Sequence, residues 1–304
     1  MKRLAVIVLT IVMCLSASFC SYAIPQMRLY AAPQAGQSIP VPGKVVTRSD
    51  HITQQQFEQI LSTLRAMKDN FADGNYDFCH TGVQCTSEAE AKALIQGFKE
   101  LFLTDNRFIL YYNDRGYNRI YVNPKTDDQG RYSYWLCGNG GPCGIYAVWK
   151  PDADANEMLR QHDAAKCVID SLLADAPADL YEKIKYYNDV LAARITYDLD
   201  GYYSGSAKHS PYHGLVEGSS VCTGYAESFF NLCYYSGIPC AVSDCVSEYS
   251  VNGLSDHKIS MVNVDGCWKE VDVTWNDSAN GVRYDYFMVE LDDTWQHHIN
   301  GIEK

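Results

Sequence analysis

Positive charge is scarce in this chain. Its 25 Lys and Arg residues face 37 Asp and Glu, giving a net charge of −12, and no Lys/Arg cluster stands out. Nucleic acid and anionic membrane surfaces are therefore poor partners, because both need concentrated basic charge. The acidity itself names no substrate and serves solubility. No apolar run after the first two dozen residues is long enough to cross a bilayer, which takes about 20 apolar residues. No Cys-x-x-Cys pair occurs, so the usual zinc-knuckle spacing is missing. No internal repeat is found.

The N-terminus has what an exported protein needs. Lys2 and Arg3 precede an almost unbroken apolar stretch from Leu4 to Leu15, and Ser21-Tyr-Ala23 places small residues where a signal peptidase reads. Residues 1–23 are read as a signal peptide, which predicts a secreted or cell-surface protein with no stable membrane insertion after cleavage. Residues 24–48 are rich in Pro, Gln and Gly and read as a linker. The remainder divides into an N-terminal α+β region (49–175) and a C-terminal region (176–304). Cys14 and Cys20 fall in the signal, leaving ten of the twelve cysteines. Export makes disulfides plausible. Cys79 with Cys85, and Cys137 with Cys143, are spaced for small loop staples.

Helical periodicity begins with Phe57, Ile60, Leu61, Leu64 and Met67, capped by Asp50 or Thr53. Ser87 and Glu90 form a capping-box pattern opening a second helix. Strands are expected at 107–112 and 117–122, joined by a hairpin turn, and at 132–135 and 145–149. Helices follow from Met158 to Ala174 and from Asp179 to Tyr197. Residues 198–220 read as a polar loop. Cys222 to Tyr235 reads as a helix ending at Gly237-Ile-Pro239. Strands then run over 240–246, 258–264 and 268–274, the last two joined by an Asp265-Gly266 turn.

Three residues stand out for chemistry. Cys222 lies in Gly218-Ser-Ser-Val-Cys222-Thr-Gly-Tyr-Ala226, at the expected start of a helix. Free N–H groups and the macrodipole there favour an anion, and the same N–H groups suit an oxyanion. His257 lies in Ser255-Asp-His257, and Asp272 in Cys267-Trp-Lys-Glu-Val-Asp272-Val-Thr-Trp275. With the 265–266 turn as hairpin centre, 257 pairs with 274 and 259 with 272. His257 and Asp272 then sit a diagonal step apart on one face, within reach of each other. A thiol needs a base, and the base needs a group that fixes its tautomer. No cofactor or metal is expected. His209 and His213 have i, i+4 spacing, but Pro211 between them opposes a helix. Gly138-Asn-Gly-Gly141 lacks the strand–helix context of a nucleotide loop. Tyr212 reads as a packed loop aromatic, with substrate or oxyanion contact as the alternative.

The stretch from about Lys183 to Val289 resembles the transglutaminase-like superfamily of papain-type thiol enzymes, especially its secreted bacterial members. Its motifs come in order: Tyr197-Asp198, Gly214-Leu-Val-Glu-Gly218, Val221-Cys-Thr-Gly-Tyr-Ala226, Gly237-Ile-Pro-Cys240, His257, Val264-Asp-Gly-Cys-Trp268, Val271-Asp-Val-Thr-Trp-Asn-Asp277 and Tyr286-Phe-Met-Val289. The resemblance implies an α+β, papain-like core, with a nucleophile helix packed on an antiparallel sheet. It implies Cys222 as nucleophile, His257 as base and acid, and Asp272 as orienting carboxylate. The implied activity is acyl transfer or hydrolysis on protein or peptide amides, with cell-surface or cell-wall proteins among the candidate substrates. The family often has an aromatic residue and Asn after the catalytic His; here the run is His257-Lys-Ile-Ser260. The competing readings are a non-catalytic binding protein on a degenerate fold and a cell-wall peptide amidase.

Overall fold

The computed structural model describes residues 52–72, 79–103, 108–113, 143–150, 153–246, 257–290 and 298–299. The signal, the linker, the strands expected at 117–122 and 132–135, Cys137 and the 138–141 glycine run lie outside the described residues.

Helix α1 (Gln54–Ala72) opens on a reciprocal cap. Gln56 N donates to Thr53 Oγ1 (3.2 Å), and Thr53 N donates to Gln56 Oε1 (2.9 Å). That is a capping box, so Thr53 and not Asp50 starts the helix. α2 (Glu88–Leu101) is capped by Ser87, which accepts from Glu90 N. The Glu90 carboxylate reaches back to Thr86 N at 2.7 Å, one residue earlier than the usual box. α3 (Ala155–Ala174) and α4 (Leu180–Arg194) start on Asp154 and Asp179, whose carboxylates accept from Glu157 N and Glu182 N.

A first sheet has the order β1 (Cys79–His80), β3 (Gly144–Trp149), β2 (Phe108–Asn113), all antiparallel. The described partner of β2 is β3, with paired residues 31 to 41 apart in sequence. Trp149 Nε1 donates to Leu64 O at 3.2 Å and ties this sheet to α1. Phe57, Phe98, Phe102 and His162 stack between α1, α2 and α3, with centroids 5.0 to 5.5 Å apart along the row. Cys85 and Cys143 carry free thiols, so neither loop staple is closed. Cys143 Sγ instead lies 3.8 Å from Cys85 O, and burial, Glu90 and Cys143 push the Cys85 thiol up to about 11.

The larger sheet has the order β10 (His298–Ile299), β6 (Cys240–Val246), β7 (His257–Val264), β8 (Cys267–Val271), β9 (Phe287–Glu290). The β7–β8 turn is the expected two-residue one. Asp265 and Gly266 both have positive φ, 53° and 82°, which is the pairing a type I′ turn demands. Its register, Ser260 opposite Val271, is the one the sequence predicts. The expected strand over 268–274 stops early. Asp272 leaves the ladder and caps a single turn, α7 (Val273–Asn276), by accepting from Trp275 N at 3.1 Å.

Helix α6 (Cys222–Tyr235) packs on this sheet, with Ser260 Oγ donating to Ala226 O at 2.9 Å. It ends in a Schellman motif: Ile238 N donates to Cys233 O, Gly237 N to Tyr234 O, and Gly237 takes φ 70°. α4 covers its other side, with Tyr187 OH 2.5 Å from Ser236 Oγ. Buried side chains from both halves of the chain form one continuous core. Asn231 Nδ2 on α6 donates to Glu100 O, and Tyr234 OH to Ile52 O.

Residues 198–220 are ordered into more than a polar loop. α4 ends at Arg194, and Thr196–Tyr197 form β4, which pairs in parallel with β5 (Ser219–Ser220). Between them lie α5 (Leu199–Ser204), capped by Asp198 and closed by Gly205 at φ 75°, and a π-helical turn over His213–Glu217. β-branched Ile195 and Thr196 favour extended backbone, and the strand they start brings the chain beside the residues that precede Cys222.

Gly224 shows how tightly that junction is drawn. A Cβ there would lie 2.0 Å from Ser220 Oγ and 3.0 Å from Ser210 O. Ser220 Oγ is committed to Lys208 O at 2.6 Å, so it can turn away only by giving up a buried hydrogen bond. Gly224→Ala is expected to destabilise the fold by about 1–3 kcal/mol, read as a lower urea midpoint.

Candidate active site

Cys222 is the first residue of α6, after Val221 in extended conformation (φ −88°, ψ −178°), and no side chain caps this helix. Gly224 N bonds back to Val221 O at 2.9 Å. The N–H groups of Cys222 and Thr223, at the first two helical positions, have no acceptor within the helix. The thiol is free and partly exposed.

His257 opens β7 and Asp272 follows β8; both are buried, at 8% and 1% exposure. His257 Nε2 lies 2.7 Å from Asp272 Oδ2. An ionised carboxylate only accepts, so Nε2 carries the proton and Nδ1 is left as the basic nitrogen. The Cys222 thiol lies beside the same imidazole and adds to its basicity. Burial alone would lower the basicity of His257. The Asp272 carboxylate, first by charge and then by hydrogen bond, and the Cys222 sulfur outweigh it and hold the imidazole well above its ordinary value.

The Asp272 carboxylate does two jobs with its two oxygens. Oδ2 takes the imidazole, Oδ1 caps α7, and its backbone N donates to Tyr286 O at 2.9 Å. The capped turn in turn sets Trp275 face to face with His257, centroids 4.9 Å apart and planes 16° apart. Tyr286 meets Trp275 edge-on at 4.9 Å. The imidazole is thus held by a hydrogen bond at one edge and a ring on its face, an arrangement that suits an imidazolium. Lys258, in the run that departs from the usual family pattern, pairs with Glu227 on α6 (3.5 Å) and Asp244 on β6 (3.2 Å).

Trp275 falls just past the strand expected over 268–274 and is given no role by the sequence; only its place three residues after the carboxylate hints at one. Tyr197 was missed as a neighbour of the site. It pairs with Ser220 through β4 and β5, and burial, then Cys222, Tyr202, Asp272 and Tyr203, raise its phenol well above the usual tyrosine range. The phenol therefore stays protonated beside the thiol. Tyr212 is packed as expected but does not lie in a loop: in helical conformation it heads the His213–Glu217 turn, it is buried, its hydroxyl accepts from Arg160 Nη2 at 3.2 Å, and its N donates to Leu103 O. His213 Nδ1 lies 2.9 Å from Ser210 Oγ. Among the described residues no group of three or more His, Cys, Asp or Glu is placed to hold a metal ion, and no helix is long and apolar enough to cross a membrane.

The raised His257 has a consequence for stability. A group whose folded-state pKa lies above its unfolded value stabilises the fold fully below the unfolded value, about 6.5, and loses that contribution as pH rises through the folded value. The urea midpoint of the wild type is expected to fall with rising pH above about 6.5 more steeply than that of His257→Gln. Parallel curves for the two proteins would show that the imidazolium contributes nothing.

No curated protein matches the chain. Among solved structures it is similar to a TGase at 17% identity and TM-score 0.34, over 48% of this chain and 44% of that one. It is similar to a candidate cysteine protease from Cytophaga hutchinsonii at 15% identity and TM-score 0.30, over 64% and 74% of the two chains. A candidate protease from Parabacteroides distasonis gives 12% identity and TM-score 0.28, over 59% and 39%. The chain thus spans less than half the length of the TGase and of the Parabacteroides protein. The fold is α+β with a transglutaminase-like core: residues 169–273, which include Cys222, His257 and Asp272, match the model of the Transglutaminase-like superfamily.

Proposed function

We propose that this chain is an exported thiol enzyme that transfers or hydrolyses acyl groups of protein or peptide amides, with Cys222, His257 and Asp272 as its catalytic triad. The observation that carries the reading is a buried imidazole 2.7 Å from the Asp272 carboxylate and beside the Cys222 thiol, which adds to its basicity. That is the geometry a thiol nucleophile needs.

In this reading His257 Nδ1 takes the thiol proton. The sulfur attacks the amide carbonyl carbon, forming the C–S bond, and the carbonyl electron pair moves onto oxygen. The first-turn N–H groups of α6 are the natural donors to that oxyanion. As the oxyanion collapses the C–N bond breaks, and His257 gives its proton to the departing amine. Water or a second amine then gives up a proton to His257 and attacks the thioester, and Cys222 leaves as thiolate. Asp272 keeps the ring in the required tautomer throughout.

Peptide-amide libraries test this. The wild type is expected to release amine or ammonia and to form a transient thioester on Cys222, seen by mass spectrometry of acid-quenched protein; Cys222→Ala does neither. No release and no adduct across the library would leave the non-catalytic binding reading in its place.

A further inference from the structure

β4 holds Tyr197 beside Ser220, two residues before the thiol, and α5 begins two residues after Tyr197. Ring contacts run from there to solvent. Tyr225 on α6 lies 6.4 Å from Tyr197, Tyr197 lies 6.4 Å from Tyr202, and Tyr202 meets Tyr203 edge-on at 5.5 Å. At the outer end the side chains are bare: Leu199 and Tyr202 are 53% exposed and Tyr203 78%. Among the described residues, these three are the large exposed hydrophobics that share one short helix next to the site.

Their exposure is not needed to build α5. That turn is held by Asp198, whose Oδ1 accepts from Gly201 N (3.1 Å) and whose Oδ2 accepts from Lys208 N (3.0 Å). Gly201 sits so close to this carboxylate that a Cβ would lie 2.2 Å from Oδ2. A turn pinned by the Asp198 carboxylate therefore presents three apolar side chains to water, and clustered apolar exposure of this kind marks binding surfaces. Its continuity through Tyr202 with Tyr197, whose strand pairs with Ser220 two residues before Cys222, says what covers it: whatever extends outward from a carbonyl seated on Cys222.

We propose that Leu199, Tyr202 and Tyr203 form a subsite for an apolar or aromatic side chain of the peptide whose amide reacts at Cys222. The proposal rests on the thiol-enzyme reading above and adds the chemistry of the substrate next to the reacting bond. Tyr faces and a Leu methyl cluster favour an apolar ring by stacking and burial. Exposed Asp200 on the same turn disfavours an acidic side chain there.

The test uses full-length Cys222→Ala protein, so that binding is read without turnover. Blocked octapeptides carrying Phe, Ala or Asp at one scanned position are titrated by calorimetry. At one position the Phe peptide is expected to bind about tenfold tighter than the Ala peptide, and the Asp peptide weakest. Adding Tyr202→Ala and Tyr203→Ala should cut the Phe preference to under about twofold, while Leu180→Ala, an exposed side chain elsewhere, keeps it. Both tyrosines are exposed, so thermal melting should barely change. A preference that survives the double substitution, or no preference at any position, overturns the subsite. A Tyr202- and Tyr203-dependent preference in a protein whose Cys222 shows no His257-dependent reactivity would sink the catalytic reading and leave the subsite standing.

Discussion

Iodoacetamide is expected to alkylate Cys222 readily at pH 6, and His257→Ala to slow that reaction by about 100-fold. The reasoning runs from the thiolate, which is the reactive species. A cysteine without a base partner titrates near 8.5 and is well under 1% thiolate at pH 6. Next to Cys222 stands an imidazole whose basicity is raised by Asp272 and by the sulfur itself, so it is a ready acceptor for the thiol proton. Removing the ring removes that acceptor and leaves the helix N-terminus as the remaining support for negative charge. Cys167 on α3 is a free, exposed thiol and serves as the internal reference, because His257→Ala should not change its rate. Peptide mapping over pH 4–9 separates the two sites. Equal rates for Cys222 in both proteins would mean that the contact with His257 does not activate the thiol.

Asp272→Asn should lower amide turnover by about 10³-fold or more while costing less stability than Asp272→Ala. An amide in place of the carboxylate can still accept from Trp275 N, so α7 keeps its cap. Facing His257 Nε2, however, it can present an N–H group. The ring would then carry its proton on Nδ1, and the thiol would lose the lone pair it needs. Asp272→Ala should lose about as much turnover and also about 1 kcal/mol or more of stability, because the cap at Trp275 N disappears and a buried imidazole loses its partner. The difference between the two variants in urea reports the cap; the loss they share reports the tautomer. If Asn supports turnover near the wild-type level, the carboxylate is only a cap and the orienting role is wrong.

Much of the local structure was legible in the sequence because it is set by neighbours along the chain. Thr53–Gln56 and Ser87–Glu90 announce helix starts, and Gly237 announces the end of α6. Asp265-Gly266 announces a turn whose geometry sets the register of β7 and β8. From that register alone, His257 and Asp272 fall a diagonal step apart, and the contact between them follows. What the register missed is that Asp272 has left the ladder. Its carboxylate faces a choice between continuing the strand and capping a turn, and only the fit of Trp275 against His257 and Tyr286 decides it. The two loop staples failed for a similar reason. Spacing said that Cys79 and Cys85 were near in sequence, whereas the packing of the 81–85 segment against β3 puts Cys143 beside Cys85.

The sequence by itself determined where α1, α2 and α6 begin and where α6 ends, which turn joins β7 to β8, and which thiol, imidazole and carboxylate were worth testing. These are short-range matters of capping, turn conformation and residue type. The tertiary structure alone decided that β2 pairs with β3, that β4 and β5 pair in parallel and set Tyr197 and α5 beside Cys222, and that Trp275 stacks on the imidazole. Each of these joins residues 18 to 41 apart, and their pairing is settled by the competition of whole surfaces for burial, which no local pattern encodes.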